Sequence, residues 1–286
     1  MHLKIKQIGY FCGKIYPMIV LGYVLGLVIG TCLGMMGAGG AILTIPVLTY
    51  LFGISPGIST TYSLFIVGIT ALIGTFGYIR NGLFSFKALV FFGLPSMASV
   101  YLSSAFLLPS VPKIIGTVAG MEVSKDLLIM VLFSVLMILS AIVMIRSSRA
   151  IRKDEYAETR RFRYGLILLI GSAVGMVTAF LGAGGGFLII PALVILGNLP
   201  MKKAVGTSLM LITINSLLGF VSKSNSIEIV VDWHFLLLFS SLTIAGILTG
   251  VWASRYVSGE RLKFYFGYFV LVLGFIVLGQ EIFIKT

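Results

Sequence analysis

Eight long apolar runs divide the chain, near residues 16–52, 60–79, 88–108, 126–145, 164–199, 204–222, 234–254 and 264–283. One helical crossing of a bilayer needs about 20 apolar residues, and six of the runs are near that length. The other two, 16–52 and 164–199, would each make a helix of about 54 Å against a hydrocarbon core of about 30 Å. Both must be broken, and each contains a glycine cluster, Gly37-Ala38-Gly39-Gly40 in one and Gly182-Ala183-Gly184-Gly185-Gly186 in the other. Glycine weakens a helix and permits positive φ, so a turn or an unwound stretch is expected at each cluster. With 58% of residues apolar and 10% charged, against about a quarter charged in a soluble domain, the chain belongs in lipid. The fold class that follows is an all-α polytopic membrane protein.

The two breaks are related by a shift of 145 residues, and between 37–48 and 182–193 eight of twelve positions are identical, including Pro46 and Pro191. The same shift pairs Gly26 with Gly171, Gly30 with Gly175, Ser63 with Ser208 and Gly74 with Gly219. A glycine run and a proline at fixed offsets point to an internal duplication: a first transmembrane repeat at 1–145, a basic linker at 146–163 and a second repeat at 164–286. Ahead of the first break Gly22, Gly26, Gly30 and Gly34 recur every fourth residue, and Gly246, Gly250 and Ser254 form a similar stripe. Such stripes let another backbone approach closely, and helix packing alone explains them.

Seven of the 21 basic residues lie between Arg146 and Arg163, which sets that linker on the cytoplasmic side by the positive-inside rule. The same rule leaves the rest undecided. If each broken run crosses once, or if each folds back as a hairpin and the halves are inverted, 14 basic residues fall inside and 7 outside. The inverted arrangement is preferred, because paired broken helices in corresponding places of two halves mark transporters of that design. Lys4, Lys6 and Lys14 ahead of the first run suit an uncleaved signal anchor. No basic face with interleaved aromatics exists outside the runs, so the net charge of +12 does not indicate nucleic acid.

A helix restarted by a glycine turn at bilayer depth presents unpaired N–H groups and the positive end of its dipole, which attract an anion. Irregular backbone survives in a membrane only inside protein or beside a watery cavity, so the breaks, meeting near the bilayer centre, are the expected site. Thr60, Thr61, Ser63, Thr207, Ser208 and Asn215 begin or line the helices that follow and can donate to an oxyanion. Arg80 ends a run and could guide an anion, although a snorkelling anchor is the preferred reading. All nine acidic residues lie in loops or near the ends of runs, which leaves a proton relay no obvious residue. An inside-negative potential favours outward anion movement by about 2.3 kcal/mol per charge per 100 mV, so facilitated efflux is physically sufficient.

The sequence G-A-G-G-A-I-L-T-I-P-V-L, its counterpart G-A-G-G-G-F-L-I-I-P-A-L and the following Gly206-Thr207-Ser208 resemble the TauE/SafE sulfite exporter family of membrane permeases, over residues 17–283. The resemblance implies transport of sulfur-containing or organic anions such as sulfite and sulfonates. It carries motif positions onto Gly37, Gly39, Gly40, Pro46, Gly182, Gly184, Gly185, Gly186, Pro191, Thr207 and Ser208, with the prolines as structural members. Where the first half would mirror Gly206-Thr207-Ser208 it has Thr61-Tyr62-Ser63, a departure that unsettles any symmetric substrate contact.

Enzyme readings lack parts. There are two histidines, no H-E-x-x-H, no G-x-S-x-G, and Ile42 and Phe187 replace the last glycine of G-x-G-x-x-G. The expectation is therefore a non-enzymatic, multi-pass exporter of a small anion in the cell membrane (the cytoplasmic membrane in a bacterium), without cofactor or metal. Its partners are the anion and the bilayer; a homo-oligomer is left open. The alternatives are an uptake permease for another anion and a non-transporting membrane scaffold.

Overall fold

The computed structural model describes residues 20–37, 39–107, 110, 114–118, 121–150, 164–181, 186–195, 199–226, 231–254, 256 and 259–283. It is helical apart from one small hairpin. Helix α1 (Val20–Met36) leads to α2 (Gly39–Pro46), which continues as a π-helical turn over Val47–Leu51. Then come α3 (Pro56–Arg80), α4 (Phe86–Leu102) with a π turn at Ser103–Leu107, and antiparallel strands β1 (Ile114–Val118) and β2 (Met121–Ser124). Helix α5 (Lys125–Ala150) closes the first half. The second half holds α6 (Tyr164–Leu181), α7 (Gly186–Ile195), α8 (Met201–Ser226), α9 (Trp233–Ala253) and α10 (Gly259–Phe283). Among the described residues four helices are long and apolar enough to cross a membrane, in α3, α4 with its π turn, α8 and α9.

The first over-long run is a hairpin. Gly37 adopts φ +74°, a left-handed conformation that a side chain disfavours, and its N–H closes α1 on Leu33 O at 2.7 Å. Helix α2 then folds back along α1: Gly40 lies against Ile29 and Leu33, and Phe52, just past the π turn, packs edge-on against Tyr23 at 5.4 Å between ring centroids. Pro46 has no N–H to give the helical ladder, and the π turn begins immediately after it. The second run also gives two helices, α6 and α7; the residues between them, 182–185, lie outside the described residues.

Helix ends follow local chemistry. Pro56 starts α3 at its first helical position, Ser85 caps α4 through Ala88 N–H at 3.4 Å, and Asp232 caps α9 through Phe235 N–H at 3.0 Å. Gly82, with φ +68°, ends α3, its N–H on Ile79 O and that of Leu83 on Tyr78 O.

Two buried clusters hold the bundle. One gathers α1, α2, α3, α5, α9 and α10 around Ile42, Phe133 and Phe239; the other gathers α3, α4, α6, α7 and α8, with Leu33 of α1 and Ile247 of α9, around Val67, Phe92 and Leu211. The glycine stripes seat helix on helix. A side chain at Gly30 would run into the Thr243 carbonyl on α9, and one at Gly175 into the Ser96 carbonyl on α4. Gly171 lies on the Phe92 carbonyl in the same way, and Gly26 lies on the ring of Phe239. These contacts make α1 parallel to α9 and α6 parallel to α4. Helices α3 and α8 cross antiparallel, with Leu64 at Gly219, Gly68 at Ser216 and Gly74 at Leu209. It follows that α1 and α6 run in opposite directions, and that α3 ends where α6 begins, at the end of the bundle carrying the 146–163 linker.

Candidate functional site

The polar residues singled out from the sequence lie along the seam between α3 and α8, at three levels. At the linker end, Ser208 is fully buried, with Oγ at hydrogen-bonding distance from Val205 O (2.8 Å) and from Gly37 O (3.3 Å). The Tyr78 hydroxyl donates to Gly34 O at 2.9 Å, just ahead of the same break. The first hairpin tip therefore lies near the first turns of α8, away from the crossing of the two helices at Gly68 and Ser216. Among the described residues the return legs α2 and α7 touch each other.

At the middle level two hydrogen bonds join the seam to its neighbours. Thr70 Oγ1 lies 2.6 Å from Thr243 Oγ1 on α9, and Asn215 Nδ2 donates to Ser96 Oγ on α4 at 2.6 Å. Thr70 and Asn215 are 145 residues apart. Asn215 Oδ1 and Ser216 Oγ are buried without a hydrogen-bond partner.

At the far end Thr60, Thr61 and Ser63 are buried. Thr60 and Thr61 donate back to Gly57 O (2.7 and 3.3 Å), as hydroxyls in a first helical turn do. Ser63 Oγ has no partner. Lys223, one turn from the end of α8, is 1% exposed, and its Nζ donates to Thr60 Oγ1 at 3.3 Å. This buried cation escaped the sequence reading because the apolar run was ended at residue 222; its signal was the four-residue spacing from Gly219, which puts it on the face toward α3. Glu281, near the end of α10, is a buried side-chain carboxylate, 1% exposed, that accepts from Tyr50 Oη at 3.0 Å.

Thr207 and Tyr62 do a matching structural job. Thr207 Oγ1 accepts the N–H of Ser85, the cap of α4, at 3.0 Å, and donates to Lys203 O at 2.8 Å. Tyr62 Oη accepts the N–H of Asp232, the cap of α9, at 2.8 Å. The departure at Tyr62 thus keeps a cross-half bond by longer reach. Arg80 is exposed at the end of α3, in the position of an anchor. Of the second glycine cluster, Gly186 is buried at the start of α7, whereas Gly182, Gly184 and Gly185 lie outside the described residues. Gly39 opens α2, and Pro191 lies within α7. Among the described residues no group of His, Cys, Asp and Glu could hold a metal ion.

Comparison with known proteins agrees with this architecture. A "Probable membrane transporter protein" of Xylella fastidiosa (strain Temecula1) is 25% identical over 259 residues, covering 90% of this chain and 93% of the relative. The "Probable membrane transporter protein YunE" of Bacillus subtilis is 30% identical over 241 residues, covering 76% and 82%. No solved structure matches. The family model described as "Sulfite exporter TauE/SafE" matches residues 22–277, and the chain, a multi-pass membrane protein, belongs to that family of membrane transporters.

Proposed function

We propose that the chain carries a small sulfur-containing or organic oxyanion, such as sulfite or a sulfonate, out of the cell, by alternating movement of helices about the α3/α8 seam between two inverted repeats. The carrying observation is the seam itself, where the Ser63 and Ser216 hydroxyls are buried without partners beside a helical hairpin broken at Gly37. Orphaned buried polar groups cost stability, commonly about 1–3 kcal/mol each, and a site that binds a hydrated or polar solute is a reason to keep them. Hydroxyl donors suit an oxyanion that is to be released on the other side, since they add no permanent countercharge.

Several correspondences support the repeat at the 145-residue shift. Ile54 N–H bonds Leu48 O and Leu199 N–H bonds Leu193 O, both at 3.2 Å, and Ser59 to Ser55 matches Ala204 to Pro200. Helices α1 and α6, which run oppositely, each seat on the helix of the other half that follows the seam. A returning hairpin followed by three crossings is an odd count, which inverts the second half and puts both termini outside if the linker is inside.

Purified protein in liposomes, at imposed membrane potentials, should show saturable flux of sulfite, sulfoacetate, taurine or a simple carboxylate. Flux that responds to potential without an added proton or sodium gradient is expected. Gly185→Leu should abolish it while the protein still inserts; flux preserved in that variant, or absent from the parent for every anion, would refute the reading.

A further inference from the structure

The middle of the α3/α8 seam is built differently on its two sides. Thr70 and Asn215, 145 residues apart, each tie a seam helix to a neighbour, Thr70 to Thr243 on α9 and Asn215 to Ser96 on α4, both at 2.6 Å. Thr70 does so with nothing left over: its hydroxyl also reaches Ile66 O at 2.6 Å, and the next residue, Ala71, has no polar side chain. Asn215 makes its tie with Nδ2 and leaves Oδ1 buried without a hydrogen-bond partner, and the next residue, Ser216, adds a hydroxyl in the same condition. Both residues are fully buried, and Ser216 lies against Gly68 where α3 and α8 cross. A threonine would serve as interhelical glue at 215 as it does at 70, so packing alone gives no reason for an amide oxygen that costs stability when unpaired.

Resting on the anion-transport reading above, we propose that Asn215 and Ser216 set the specificity of the seam, and that the ligand is a small oxyanion bearing a hydrogen-bond donor of its own, as a hydroxy- or amino-substituted sulfonate does. The chemistry of the two orphaned atoms carries this. A serine hydroxyl can donate to an oxyanion, whereas an amide oxygen only accepts, and it disfavours a ligand that offers nothing but acceptor oxygens. With Nδ2 engaged by Ser96, the atom that Asn215 presents is that acceptor. An anion with a hydroxyl or an ammonium satisfies both neighbours on α8, its oxygens taking the Ser216 proton and its donor taking Asn215 Oδ1. Hydrogen sulfite meets the same description, and fully deprotonated sulfite does not. Packed helices shut both side chains in, so the ligand reaches them only when the seam parts, which is the movement that the transport reading requires.

The full chain in liposomes is offered matched sulfonates: ethanesulfonate, which has no donor, isethionate, its hydroxy derivative, and taurine, its amino derivative. Half-saturation of flux is measured for each. The parent should half-saturate with isethionate or taurine at a concentration about tenfold or more below that for ethanesulfonate, the size of effect expected of an unmet buried acceptor. Which of the two is preferred tells whether the donor is a hydroxyl or an ammonium. Asn215→Thr, which keeps a hydroxyl for Ser96, should bring the concentrations together and leave thermal stability in detergent equal or higher. Ser216→Ala should weaken all of them by the same few-fold factor and keep their ratio. Ethanesulfonate half-saturating the parent as readily as both others, or an unchanged ratio in Asn215→Thr, would overturn the proposal. So would a parent that moves sulfite but none of the sulfonates. If Asn215→Thr does not fold, the parent's ratio and Ser216→Ala decide it, and wild-type half-saturation or an altered ratio in Ser216→Ala overturns it. A parent that moves no anion at all, sulfite included, would instead sink the anion-transport reading itself.

Discussion

Single glycines in this chain divide into those that hold a backbone and those that merely lack a side chain. A side chain at Gly30 would strike the carbonyl of Thr243, which cannot move without α9. Gly279, in α10, has nothing within 4 Å of the same position. Gly30→Leu should therefore destabilise the protein by about 1–3 kcal/mol or more, as overpacking does, whereas Gly279→Ala should raise stability by about 0.5–1 kcal/mol through helix propensity. Thermal unfolding in detergent checks both, and a Gly30→Leu protein as stable as the parent would contradict the packing account. The two glycines look alike in the sequence; periodicity marks Gly30 as one of a stripe, but only the packed neighbour shows how little room it has.

Broken helices are the elements on which the architecture turns, and their breaks were legible because largely apolar runs of 37 and 36 residues outrun the bilayer. What length could not say was whether the chain continues across or returns. The structure returns it, and the reason is local: Gly37 takes a left-handed φ, and Gly40 has no side chain to keep α2 off α1. Gly37→Val should be worse than Gly37→Ala, because a β-branched residue is least at ease at positive φ. It would also meet Val205 and Ser208. The expected readout is folded yield falling from glycine to alanine to valine, with flux per folded molecule falling in the same order; equal flux in all three would show that the tip does not take part. At the seam, Thr207, which its motif offers as a substrate contact, has its hydroxyl bonded to Ser85 N–H and Lys203 O. Thr207→Val should accordingly cost about 1 kcal/mol, seen as a lower melting temperature.

Across the whole molecule, the helix ahead of each glycine cluster is clasped by a helix of the other half, α1 by α9 and α6 by α4. Backbones in glycine-mediated contact cannot slide past each other, so α1 and α9 should move as one body against α3. Thr31 and Thr249 face each other within that body at 3.2 Å, and Thr70 and Thr243 face each other across α3 and α9 at 2.6 Å. With Cys12 and Cys32 replaced, a cross-link at Thr31→Cys/Thr249→Cys should leave flux intact. One at Thr70→Cys/Thr243→Cys should stop it until reduced, and arrest by the first pair alone would reverse the assignment of moving parts. The sequence by itself determined the membrane class, the run lengths and the place where the first run breaks, because bilayer thickness and glycine chemistry act on contiguous residues. Only the tertiary structure decided that the first run returns as a hairpin, which glycine meets which carbonyl, that Tyr62 and Thr207 tie caps across the halves, and that Lys223 is buried. Those depend on residues more than a hundred positions apart being brought onto one seam, and no local periodicity records which faces will meet.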